Sequence, residues 1–140
     1  LCNMEEWESD HFDLILHSHV LEHTYCNIAY SLFHIHRILR KGGKHVFIIP
    51  YTSGRYEESM NPIGTVERTR RFGQWDHVRR FGVEDNMENL GKIVRLPAHY
   101  DVTDSIPADV LRNANIPEHF WSGFNACTVH ALDKADYLLG

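Results

Sequence analysis

The stretch "FDLILHSHVLEHTYCNIAYSLFHIHRILRKGGKHVFIIPY", residues 12–51, decides the fold. Phe12 to Leu16 is a short continuous apolar run, which predicts a strand buried on both faces. Ile28, Leu32, Ile35 and Leu39 then recur at helical spacing, joined by Ala29 and Ile38 on the same face. Asn27 or Thr24 can cap the start of this helix. Arg37, Arg40 and Lys41 crowd its end, where they complement the helix dipole, and Gly42-Gly43 is read as its stop. "KHVFIIP" (44–50) predicts a second buried strand, closed by Pro50. Strand, helix and strand make one βαβ unit, whose two strands should be parallel neighbours joined by a right-handed crossover.

Outward from that unit the pattern weakens. Residues 51–82 are rich in Gly, Arg, Ser and Asn and predict a long loop, which in a compact domain is usually functional or mobile. Val83, Met87 and Leu90 predict a short helix ending at Gly91, with Glu84 and Asp85 in its first turn. "KIVRL" (92–96) predicts a strand, "PADVLRNA" (107–114) a short helix, and "NACTVHALDKA" (125–135) a last strand. This order of elements indicates an α/β sheet fold in one domain.

A length of 140 residues suits one domain with a real core, and 43% hydrophobic with 24% charged residues is ordinary for a globular protein. The net charge of −5 argues against a nucleic-acid binder, although Arg68, Arg70, Arg71, Arg79 and Arg80 crowd one segment. Cys2, Cys26 and Cys127 are odd in number and contain no C-x-x-C pair. No disulfide framework or zinc knuckle is therefore expected, and a cytoplasmic, reducing location is the default. No apolar run approaches membrane-spanning length, so no membrane partner is expected. The opening "LCNMEEWESD" has no initiator Met and runs almost at once into a strand, which suggests a fragment or a trimmed chain.

His19-x-x-Glu22-His23 fits the H-x-x-E-H pattern of one class of zinc peptidase. That chemistry needs both histidines on one helical face and a third ligand, and here the first histidine follows a strand with scarcely a turn between. No downstream helix supplies an obvious third ligand, so the sequence predicts no bound metal. In an open parallel sheet, ligands sit beyond the carboxyl ends of the strands, where His17, Ser18 and His19 fall.

Residues 12–51 resemble the second half of a class I S-adenosylmethionine-dependent methyltransferase. The fourth strand with its "HVLEH" segment, the "HRILRKGG" helix end and the fifth strand agree in order and spacing. "RFGQWDHVRRFG" (71–82) resembles a segment following the fifth strand in some members, including methyltransferases of sugar and surface-polysaccharide pathways, and "VHALDKA" resembles the closing strand. The resemblance implies a partial Rossmann-like methyltransferase fold of about four strands, mostly parallel with an antiparallel last strand. No G-x-G-x-G turn follows a strand in these residues, so the first half of the cofactor site is missing from them. S-adenosylmethionine should bind this chain alone weakly or not at all.

Carried over by position, the resemblance places Cys2 and Met4 near the adenine, and His17, Ser18 and His19 beside the methionine portion of the cofactor. Glu22 and His23 fall beyond it, towards the substrate side. In "RTRRFGQWDHVRRFG" the arginine forks, Arg79 among them, suit a phosphate or carboxylate on the acceptor beside Asp76, and equally Asp76 and Glu67 could pair with neighbouring arginines and pin the loop. His23 and His77 are the candidate bases, because histidine titrates near neutrality and methyl transfer needs alignment and a proton acceptor. The leading function is methyl transfer to a small molecule or glycan precursor. A non-catalytic half-domain acting as an interaction module is the second reading, and a metal hydrolase on His19, Glu22 and His23 the third. An open edge on the strand at 12–17 also predicts a homo-oligomer.

Overall fold

The computed structural model describes residues 1–139. Strand β1 (Phe12–Ser18) and strand β2 (Leu39–Ile48) are parallel neighbours, with Leu14 opposite Lys44 and Ser18 opposite Ile48. Helix α1 (Ile28–Ile38) connects them. Asn27 starts it, its side chain accepting the Ala29 N–H at 2.8 Å. Leu32, Ile35 and Ile38 turn one apolar stripe onto the sheet, which is what sets the helix against it.

The helix ends earlier than Gly42-Gly43, and that dipeptide does other work. The chain turns extended at Leu39, and β2 begins at once. Phe12 pairs with Leu39 but Leu14 with Lys44, so β2 bulges outward between those positions. Gly42 holds φ +82°, and a Cβ on Gly43 would lie 2.8 Å from the Asp13 carbonyl. Both glycines serve the bulge, one by its left-handed backbone and one by close approach.

The last strand of this sheet is antiparallel to β2, as expected. It pairs His45 with Leu132 and Ile48 with Val129, giving three strands rather than about four. A second small sheet occupies the segment expected to be loop. Strand β3 (Tyr51–Thr52), strand β4 (Glu57–Glu58) and strand β5 (Arg79–Gly82) form it in the order β3-β5-β4, so the last strand of the main sheet (Val129–Leu132) is β6. Helix α2 (Thr65–Phe72) packs beside it and ends on Gly73 at φ +87°. These elements are short and polar, and Arg71–Glu57 at 2.6 Å and Arg79–Glu58 at 3.3 Å tie them together, so hydrophobic periodicity could not reveal them. The result is an α/β chain with two small sheets instead of one Rossmann-type sheet.

Two further expectations are corrected. Residues 83–91 form turns and only a short 3-10 turn at Leu90–Lys92, because the buried Asp85 accepts the Tyr56 N–H at 2.7 Å and competes with helix formation. Residues 92–96 contribute one isolated bridge, Val94 to Tyr137, not a strand. A helix does form at Ala108–Asn113, after Pro107. Cys2 and Cys26 are bonded to each other, against the expectation of free thiols, while Cys127 is free and exposed. Parity could not show that two cysteines meet. Among the described residues no helix is long and apolar enough to cross a membrane.

Candidate functional site

Beyond the end of β1, His19 adopts φ +53° and the chain makes a 3-10 turn at Leu21–His23. Segment 76–79, entering β5, lies against this turn. The Val78 N–H donates to the Glu22 carbonyl at 2.8 Å. Arg79, fully buried, donates to the Leu21 carbonyl, to Thr24 Oγ1 at 2.6 Å and to the Cys26 carbonyl at 2.7 Å. The outcome is a clamp that joins residues far apart in sequence.

The clamp sets Glu22 and His23 beside Asp76 and His77. The His23 and His77 rings meet edge-on, with centroids 4.7 Å apart. His23 Nδ1 faces Asp76 Oδ2 at 3.3 Å, and its Nε2 faces Glu22 Oε1 at 3.8 Å. His77 Nδ1 donates to the Phe72 carbonyl at 3.0 Å, which leaves Nε2 with that ring's lone pair. Arg68 supports the His77 backbone, donating to its carbonyl at 3.1 Å. A hydrogen bond from Gln74 holds the Asp76 carboxyl below its ordinary range, and the imidazoles of His23 and His77 add to the effect. Glu22 is wholly buried, and neither of its carboxylate oxygens has a hydrogen-bond partner. A cleft of about 190 Å³ opens beside this group, lined by Pro50, Thr52, Phe72, His77 and Arg80 among others.

The remaining candidates lie elsewhere. His17 does not face the strand-end crevice. It sits on the covered face of β1, 2.9 Å from His45 between Nε2 atoms, and stacks against Phe47. Met4 is packed in the core and Cys2 is held in the disulfide, so neither lines an open pocket end. Of the five residues expected around the cofactor, only Ser18 and His19 are exposed at the end of β1. Arg79, expected to meet substrate, has its guanidinium spent inside the fold, so it positions the Glu22–His23 turn.

Sequence reasoning missed a second group. His17, His45 and His130 share one face of the main sheet with Phe47 wedged among them, its ring 4.4 Å from His45 and 4.8 Å from His130. Tyr137 bonds His45 Nδ1 at 2.6 Å and Tyr51 bonds His130 Nε2 at 3.1 Å. Burial pushes His17 down to about 4, His45 to about 3 and His130 to about 4. The signal is the alternation of His45 and Phe47 along β2, continued by Ile49 just past its end.

Neither a comparison with protein-family models nor one with curated proteins found a match for this chain.

Proposed function

We propose that these residues form the acceptor-side half of an S-adenosylmethionine-dependent methyltransferase acting on a small molecule or glycan precursor. One observation carries the reading. Glu22, His23, Asp76 and His77 are drawn together from two distant segments at the carboxyl end of a parallel strand pair, the place where open α/β sheets bind ligands. S-adenosylmethionine, when bound, would supply a methyl group on a sulfonium sulfur. The residues present here fit that cofactor only in part, since Ser18 and His19 alone are exposed at the strand end and no Gly-rich turn follows a strand. His23 and His77 would take the acceptor's proton, with Asp76 orienting His23, while the cleft beside His77 holds the acceptor. The cytoplasmic reading loses one support, because it rested on unpaired cysteines and Cys2–Cys26 is a bond favoured in oxidising compartments.

Calorimetry of this chain with S-adenosylmethionine should give no saturable heat. Coding sequence upstream of Leu1 should carry an in-frame Gly-rich loop about 60 residues earlier, a spacing set by two βα units. That longer chain should bind the cofactor and methylate a member of a panel of hydroxyl-bearing small molecules and nucleotide sugars. His23→Ala should then lower turnover by about 10²–10⁴-fold, the usual worth of a general base. Full turnover in His23→Ala would overturn the role of His23 as base, and a longer chain that ignores S-adenosylmethionine would overturn the reading in favour of an interaction module.

A further inference from the structure

The geometry points to a binding site for one divalent transition-metal ion formed by Glu22, His23 and His77. One donor atom from each of these side chains lies within 4.8 Å of the others. The expectation of no metal rested on a missing third ligand, and the fold supplies one from 55 residues downstream of Glu22, in the connection between α2 and β5. The set differs from the one read off the H-x-x-E-H pattern, in which His19 stood where His77 now stands.

The protonation pattern carries the inference further than proximity does. A carbonyl only accepts, so the His77 Nδ1 proton is committed to Phe72 and its lone pair is on Nε2. The Asp76 carboxylate beside His23 Nδ1 likewise favours a proton on that nitrogen, which leaves the His23 Nε2 lone pair facing Glu22 Oε1. Glu22 adds a buried carboxylate with no hydrogen bond to either oxygen and no lysine or arginine paired with it among the described residues. Glu22 is thus an unpaired carboxylate where burial is costly, with one donor atom of each part-exposed histidine within 4.8 Å, and a cation would satisfy it. A carboxylate or carbonyl on the outer nitrogen of a metal-ligating histidine is the usual orienting partner, and both histidines have one.

Two imidazoles and one carboxylate suit zinc or its neighbours cobalt and nickel, whereas calcium and magnesium take oxygen donors. Donors about 2.0–2.2 Å from a tetrahedral ion lie about 3.4 Å apart. The His23 Nε2–Glu22 Oε1 pair, at 3.8 Å, is already close to that separation, and no pair, all being within 4.8 Å, needs to close by more than about 1.4 Å. His23, one-third exposed, has room for that torsional change, while the backbone of the turn is fixed by Val78 and Arg79. The fourth position is open to water, to an oxygen ligand, or to His19, whose Nδ1 is 3.4 Å from Glu22 Oε1. With an ion in place His23 and His77 are ligands and not bases, and an acceptor hydroxyl would be activated by ligation instead.

Metal binding is measurable without methyl transfer, so its failure and that of the methyltransferase reading are separable. The chain is stripped with a chelator under non-reducing conditions, then titrated with Zn²⁺ by calorimetry and with Co²⁺ by visible absorption. The expected result is about one ion per chain, with intense tetrahedral cobalt bands and a melting temperature that rises with metal and falls with chelator. His77→Ala and His23→Ala, each checked by circular dichroism, should weaken binding by about 100-fold or more, beyond the 10–100-fold of a lost orienting partner. Asp76→Asn should weaken it by about tenfold. His99→Ala and His119→Ala should leave it unchanged. Absence of saturable binding, or equal binding in the wild-type chain and both ligand variants, would overturn the site.

Discussion

The two faces of the main sheet differ sharply, although alternate residues of the same strands build both. Ile15, His17, His45, Phe47, His130 and Leu132 face α1 and the core, and their polar members are stacked and hydrogen-bonded. Leu14, Leu16, Val46, Ile48 and Val129 point the other way, with Leu14 57% and Leu16 70% exposed. The buried face holds the histidines and the open face holds leucines, an inversion of what hydropathy alone assigns. Burial here follows strand parity and what packs above each face, not the polarity of each residue.

The largest effect should come from breaking the covered face. Phe47→Ala removes the ring between His45 and His130 and should cost about 3–5 kcal/mol, the range for a buried phenylalanine. Urea unfolding measures it, and a loss under 1 kcal/mol would mean that the stack is not the core of the sheet.

Acid probes the same face through its charge. An unfolded histidine titrates near 6.5, whereas His17, His45 and His130 sit at about 4, 3 and 4 in the fold. Between those values the unfolded chain binds more protons, so the stabilisation is complete above about pH 6.5 and is lost as pH falls towards 4 and 3. His130 alone accounts for about 3 kcal/mol at most. Urea midpoints at pH 7.5, 6 and 5 should fall steadily, and His130→Phe should flatten the slope. A midpoint independent of pH in this range would show that the histidines are not dry.

At the end of the sheet, His23→Ala should change stability by about 1 kcal/mol or less, since the ring is one-third exposed and its polar contacts, at 3.3 and 3.8 Å, are long. Thermal melts of the variant and wild-type chains check this. A larger loss would make His23 a structural residue.

The smallest effect on stability belongs to the open face. Leu16→Glu should alter it by less than about 0.5 kcal/mol. It should nevertheless change association: we expect a second copy to cover the free β1 edge and the leucines beside it, so sedimentation should give a dimer for the wild-type chain and a monomer for Leu16→Glu. A wild-type monomer at high concentration would leave the open face without that partner.

The βαβ unit was legible in the sequence because its determinants are local. Apolar residues at helical spacing, Asn27 as cap and two short β-rich runs set α1, β1 and β2, and their parallel pairing followed from the connection between them. His23 and His77 were legible as chemistry, being histidines beside acidic neighbours, but nothing in their spacing places them within one ring's width of each other. Only the tertiary structure did that. Arg79 reaches across to the carbonyls of Leu21 and Cys26, and Val78 bonds the Glu22 backbone, contacts that depend on two distant segments meeting. The second sheet, the Cys2–Cys26 bond and the bulge at Gly42-Gly43 escaped for the same reason. A local pattern records which backbone a segment prefers, whereas ion pairs, disulfides and close backbone approaches record what lies opposite it, and that is decided only when the chain closes on itself.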